Sequence, residues 1–326
     1  MTTPPTPQPQ AQPQQAPHQA PAQAPHQVPA PVGAPGPQGG PVPPGGAPTA
    51  PPPAAPAPPS AWQQAMNNAY TSPIPVKKTH LGNALASEWT KIKSVRSTMW
   101  TLGVFFLLVV GIGLLVAGNT QDRDYADVPF TIPAFFGLVL GQICLITLGV
   151  LVTSSEYGTG MIRTTFTASP QRYRVLAAKI IVFFVIAFVV AAGSILLVGL
   201  MTSGMHSGPE AGDVDWAGTV LKGGLYVSLL GVLALAAGSM LRHSAGAITA
   251  MLGVVLVPAI LPVFLMISEG TRPLGEKMMD YNAINSLAKI FEMDGEGGGT
   301  SQLGLLVGLT AAAVAGAFVL LEKRDV

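Results

Sequence analysis

The chain has 326 residues, of which 49% are hydrophobic and 10% charged, with a mean hydropathy of +0.45. Soluble domains carry about 25% charged residues, so a water-soluble fold is excluded for most of the chain. A formal net charge of +1 points to no nucleic acid partner and to no acidic one, and the single cysteine, Cys144, excludes an intrachain disulfide or a cysteine-built metal cluster.

Residues 1–76 read as a separate segment of Pro, Gln, Ala and Gly. It holds 24 of the 31 prolines, and no Asp, Glu, Lys or Arg precedes Lys77. Proline removes backbone donors and fixes φ, and the apolar content is too low to offset ordering entropy. A disordered, polyproline-like tail is expected. It lacks the apolar stretch of a secretory signal, and His18 and His26 are too sparse for a metal site. The tail is read as an unconstrained extension in preference to a tether for a proline-binding partner.

From Lys77 to Val326 the composition changes to that of an all-α integral membrane domain. Between Asn83 and Thr98, Leu85, Trp89, Ile92 and Val95 recur at helical spacing, flanked by Lys91 and Lys93. This predicts a short amphipathic helix on the membrane surface, with Trp89 at headgroup depth. Glu88 falls near the apolar stripe, where a bare carboxylate is costly. It faces a partner or a basic side chain on one reading, and solvent on the other.

A membrane helix needs about 20 apolar residues. Six stretches qualify, at about residues 100–117, 132–153, 175–201, 220–241, 245–267 and 303–321. Lys179 and Lys222 lie near the starts of the third and fourth, where both can snorkel. With the N-terminus inside, 12 of the 17 Lys and Arg residues fall on the inner side, so the positive-inside rule predicts a multi-pass protein of the cell (plasma) membrane with both termini cytoplasmic. Small residues lie four apart in the second span (Gly137, Gly141) and the last (Gly304, Gly308, Ala312, Gly316), and packing within one bundle is the simplest use of them. Pro258 and Pro262 should bend the fifth span.

Several chemistries are missing. No phosphate loop ending in Gly-Lys-Ser/Thr occurs, no His-Glu-x-x-His pattern and no serine elbow. No Asp, Glu or Arg sits in the middle of a span, which argues against a self-powered carrier. The chain is therefore read as no enzyme, without catalytic, cofactor or metal residues of its own, and drawing on an outside energy source.

The segment between spans two and three, SSEYGTGMIRTTFTASPQRYRVLAAK, is the most informative. Gly158 and Gly160 allow a turn, residues 161–167 suit a short helix with Ile162 and Phe166 on one side, and Pro170 stops it before Arg172 and Arg174. A short helix with an apolar face exposed to cytoplasm can plug a groove in another protein, or can rest on the membrane surface.

Two motifs in order, LASEWTKIKSVRSTMW before span one and the E-Y-x-x-G-x-I-R-T-T…S-P-x-R…K pattern from Glu156 to Lys179, make residues 80–326 resemble the permease subunits of ABC transporters of the type-2 exporter family. That resemblance implies a six-helix bundle with a cytoplasmic elbow helix carrying Glu88, Trp89 and Lys91. It also implies a second permease copy, as homodimer or heterodimer, and a separate ABC ATPase subunit that binds the ATP and Mg. The coupling loop would comprise Glu156, Gly158, Gly160, Ile162, Arg163, Phe166, Pro170 and Arg172, with Ile162 and Phe166 as the contacts. Between spans five and six the family has external helices, for which Tyr281, Ile284, Leu287 and Phe291 have suitable spacing. The rival expectation is a non-transporting membrane scaffold that recruits partners through the tail.

Overall fold

Backbone N–H and C=O groups in hydrocarbon have no water to bond, so long apolar runs must satisfy them within helices. The structure, a computed structural model describing residues 80–125, 127–168, 171–208, 216–293 and 298–324, follows that constraint. The described residues form ten helices and no strand. The tail, Pro170 and most of the 295–299 glycine run lie outside them.

Helix α1 (Leu81–Ser94) is followed by the first long helix, α2 (Arg96–Gly118), and then by α3 (Ile132–Gly158). A short α4 (Met161–Ala168) leads into α5 (Arg172–Met205), then α6 (Ala217–Leu241) and α7 (Ser244–Leu265). Helices α8 (Arg272–Tyr281) and α9 (Ala283–Ile290) precede the last, α10 (Thr300–Lys323). Six of the ten, α2, α3, α5, α6, α7 and α10, are long and apolar enough to cross a membrane. They coincide with the six expected spans, most ends being extended by up to five residues and the fifth span stopping two residues early, at Leu265.

Side-chain contacts define two ends of the bundle. At the proximal end α1, the α3–α5 junction, the α6–α7 junction and the C-terminus of α10 meet. Arg242 lies 5.0 Å over the Tyr157 ring there, and Arg172 donates to the Arg324 carbonyl at 3.3 Å. At the distal end the α2–α3 and α5–α6 connections join, through Ser207 donating to Asp122 at 3.0 Å and Tyr125 meeting the His206 ring edge-on at 5.3 Å. Arg123, Lys222, Arg272, Lys277 and Lys289 lie towards the distal end, and the other ten Lys and Arg among the described residues lie towards the proximal one.

The centre is the α3–α6 pair. A Cβ on Gly149 would collide with the Gly231 carbonyl, and one on Gly231 would meet the Phe183 ring of α5 at 2.8 Å. The helices therefore approach backbone to backbone, the contact that replaces hydrophobic drive in lipid. Thr153 adds a cross-helix bond by donating to the Leu235 carbonyl at 3.1 Å. Helices α7 and α10 are peripheral, each with 17% of its apolar window buried against 56% for α3 and 61% for α6.

Two expectations change. The small-residue row of α3 does pack inside the bundle, with Gly137 against the Val109 backbone, but Gly304 and Gly308 of α10 meet nothing within 4 Å. Helix α7 keeps helical backbone through Pro258 and Pro262, the positions at which the sequence places a bend. The segment after α7 is not one surface helix. Asn282 ends α8 in extended backbone and caps α9 by accepting from Asn285 N–H at 2.9 Å. Leu287 and Phe291 are then fully buried, with Phe291 6.2 Å from Phe135 of α3, so α9 plugs into the bundle.

Overpacking a close helix contact costs about 1–3 kcal/mol. Gly149→Val is expected to lower stability in detergent by at least that much, whereas Gly304→Val on the open face of α10 leaves the unfolding midpoint unchanged. Graded denaturation followed by circular dichroism checks both.

Candidate functional site

Four charged side chains from three helices meet at the proximal end. Glu88 and Lys91 come from α1, Glu156 from the last turn of α3 and Lys179 from the second turn of α5. Lys179 Nζ donates to Glu88 Oε2 at 2.8 Å and to Glu156 Oε1 at 2.6 Å. Lys91 Nζ donates to Glu88 Oε1 at 2.8 Å and to Glu156 Oε1 at 3.0 Å. Two cations and two anions thus alternate around a closed ring. The Lys179 side chain is 3% exposed, Glu88 5% and Glu156 8%, while Lys91 at 28% forms the outer edge.

The local sequence explains the arrangement. Glu88, Lys91 and Ile92 are three and four residues apart, so they share one face of α1, and Glu88 and Ile92 are the buried residues of that helix. Trp89 points away, 44% exposed, with the Lys93 ammonium 5.0 Å over its ring. Val95 is in extended conformation and separates α1 from α2. The second carboxylate oxygen of Glu156, Oε2, is buried and has no hydrogen-bond partner among the described residues. Glu156 is also one of the residues lining a cavity of about 270 Å³ between α1, α2 and α3.

Burial pulls the Lys91 ammonium down, but hydrogen bonds and attraction from Glu88 and Glu156 outweigh it, so its pKa is raised above the ordinary 10.5.

The loop after α3 turns sharply at Gly160, whose φ of +72° is the left-handed region that glycine occupies without strain. Gly158 ends α3 with open space beside it. Helix α4 then folds back on its own bundle. Ile162 is 6% exposed, and it and Phe166 border a small recess with Tyr157, Val175, Leu176 and Leu321. Phe166 lies 5.4 Å from the Arg172 guanidinium. The expectation that Ile162 and Phe166 present an apolar knob outward is therefore corrected. Their four-residue spacing is real, but the face is turned inward because the neighbouring ends of α3, α5 and α10 offer it an apolar seat. The outward face consists of Met161, Arg163, Thr164 and Thr167.

Of the residues singled out in the sequence, Glu88, Lys91 and Glu156 are brought together, and Arg172 with Phe166 closes the far side of the loop. Trp89 and Arg163 stay outside the ring. Lys179 is the member that the sequence reading places wrongly, since it does not snorkel. The usable signal was its position, a lysine seven residues into an apolar helix in a chain with two acids at neighbouring helix ends.

Six long apolar helices, two of which join α1 in this ring, define a multi-pass helical membrane protein. No family model matches the chain, and no curated protein matches it.

Removing one partner of a buried pair costs about 3–5 kcal/mol, because the remaining charge is stranded. Lys179→Met is expected to destabilise the bundle by that amount in chemical denaturation, and adding Glu88→Gln and Glu156→Gln should restore a large part. Because the Lys91 pKa is raised on folding, its contribution is fully present below about pH 10.4, its unfolded value. That contribution fades as the pH climbs through the folded pKa. Melting temperatures measured across pH 7–12 should fall above pH 10.5, with a shallower fall in Lys91→Gln.

Proposed function

We propose that this chain is the membrane-spanning permease subunit of an ATP-driven ABC exporter, paired with a second permease copy and coupled to a separate ATPase. The observation that carries the reading is the buried ring of Glu88, Lys91, Glu156 and Lys179. It ties the amphipathic helix α1 and the ends of α3 and α5 into one unit directly beside α4. A push on α4 is then delivered to three helices together, as a transmission element requires.

In this reading the proximal end faces the cytoplasm, in keeping with the ten-to-five division of basic residues. The ATPase docks on the exposed side of α4, at Met161, Arg163, Thr164 and Thr167, rather than on Ile162 and Phe166. Opening and closing of the ATPase pair shifts α4, the ionic ring carries the shift into α1, α3 and α5, and the glycine-packed α3–α6 pair is the axis about which access changes. ATP and Mg are bound by the partner, and the bond chemistry takes place there.

The neighbouring gene is expected to encode an ATPase with a phosphate loop and a Ser-Gly-Gly signature. Met161→Asp combined with Arg163→Glu should lower recovery of that ATPase in co-purification by about tenfold or more, the scale of a lost interface anchor, while the permease itself stays folded. Thr164→Cys should react with a membrane-impermeant maleimide only after cell lysis. Labelling in intact cells, or unchanged ATPase recovery, refutes the proposal.

A further inference from the structure

A cavity that the mechanism does not use lies near the distal end, among α6, α7, α8, α9 and the start of α10, with a volume of about 570 Å³. That is within the range of about 300–1,000 Å³ typical of ligand sites. Its walls are graded. The polar lining residues, Lys277, Asn282, Ser286, Gln302 and Tyr226, cluster towards the distal end, on or facing α8 and α9. Deeper in the bundle the walls are apolar, formed by Leu230 and Leu233 of α6, Val254 of α7, and Leu305 and Leu309 of α10. Val254, Leu305 and Leu309 are about half exposed, at 53%, 46% and 50%, so the cavity opens sideways, towards the lipid that surrounds the spans.

The charge at its mouth has a sign. Lys277 is exposed and forms no ion pair among the described residues. The two acids closest to it on α8 are already held, Glu276 by Arg272 at 3.3 Å and Asp280 by Lys289 at 3.1 Å. An exposed ammonium above an apolar cleft of this volume complements an anionic head on a hydrocarbon chain.

We propose that this cleft binds an anionic phospholipid of the surrounding leaflet, with its phosphate at Lys277 and an acyl chain between α7 and α10 against α6. The site needs only that the six helices cross a bilayer, so it stands apart from the transport reading.

The test uses the full chain purified in a mild detergent and incubated with phosphatidylglycerol or phosphatidylcholine of the same acyl chains, with bound lipid counted by native mass spectrometry. Wild type should retain phosphatidylglycerol in preference. Lys277→Glu should reduce that preference about fivefold, the effect of one lysine near an anionic surface, and leave phosphatidylcholine retention unchanged. Leu305→Trp, at the exposed rim, should lower retention of both lipids. Arg123→Glu, a distal cation outside the cleft, should change nothing. Equal retention of the two lipids by wild type overturns the proposal, as does an equal effect of Arg123→Glu. Displacement by excess glycerol 3-phosphate also overturns it, because the chain would then contribute nothing. These readouts need no ATPase, so failure here leaves the transport proposal intact, and failed ATPase association leaves the lipid site intact.

Discussion

A charged side chain withdrawn from water loses several kcal/mol of hydration, and it persists only where opposite charge and hydrogen bonds replace what was lost. Among the described residues the bundle satisfies that condition where Lys179 sits between Glu88 and Glu156 and Lys91 closes the ring from outside. Each helix contributing to the ring depends on the others. Helix α1 cannot be lifted away without taking Glu88 from Lys179 and Lys91 from Glu156, and α5 cannot slide along its axis without leaving two carboxylates to share Lys91. A helix that composition alone places loosely on the membrane surface is thereby made part of the bundle, held by the ring together with the buried Ile92.

The rest of the architecture divides into a tight centre and a loose rim. Gly149, Gly231 and Gly238 let α3 and α6 meet at backbone distance, and Phe183 of α5 fills the groove beside them. Such an interface has little room for relative movement, since any added atom collides with backbone. Helices α7 and α10, mostly exposed, have no such constraint, and the lateral cleft opens between these two and α6. Rigidity is thus concentrated where α3 carries Glu156, and openness lies at the opposite end, under α8 and α9.

The places where sequence reasoning went astray share one cause. Ile162 and Phe166 are correctly paired by their spacing, yet spacing does not say whether an apolar face meets a partner or the chain's own bundle. Lys179 at a span entrance has two ways of avoiding lipid, reaching out to headgroups or inward to an acid, and only the position of Glu88, 91 residues earlier in the chain, decides between them. The rows of small residues at Gly137 and at Gly304 look equivalent in the sequence, and in the structure the first is filled by α2 while the second is open at Gly304 and Gly308 and meets Met240 only at Gly316. Helix α9 belongs with these cases. Its apolar residues suit a surface helix, but Asn282 breaks the chain so that Leu287 and Phe291 swing into the core.

By itself the sequence determined the number of long apolar helices, their approximate ends, and the asymmetry of basic residues between the two ends of the bundle. These follow from local quantities, since about 20 apolar residues must become helix to hide their own backbone in hydrocarbon. Which faces meet was decided only by the tertiary structure, because in lipid the apolar surfaces of all spans are nearly alike and give no direction to assembly. The partners are chosen by the few exceptions to that uniformity, namely the glycines that admit a second backbone and the charges that tolerate no other neighbour, and both act between residues far apart in the chain.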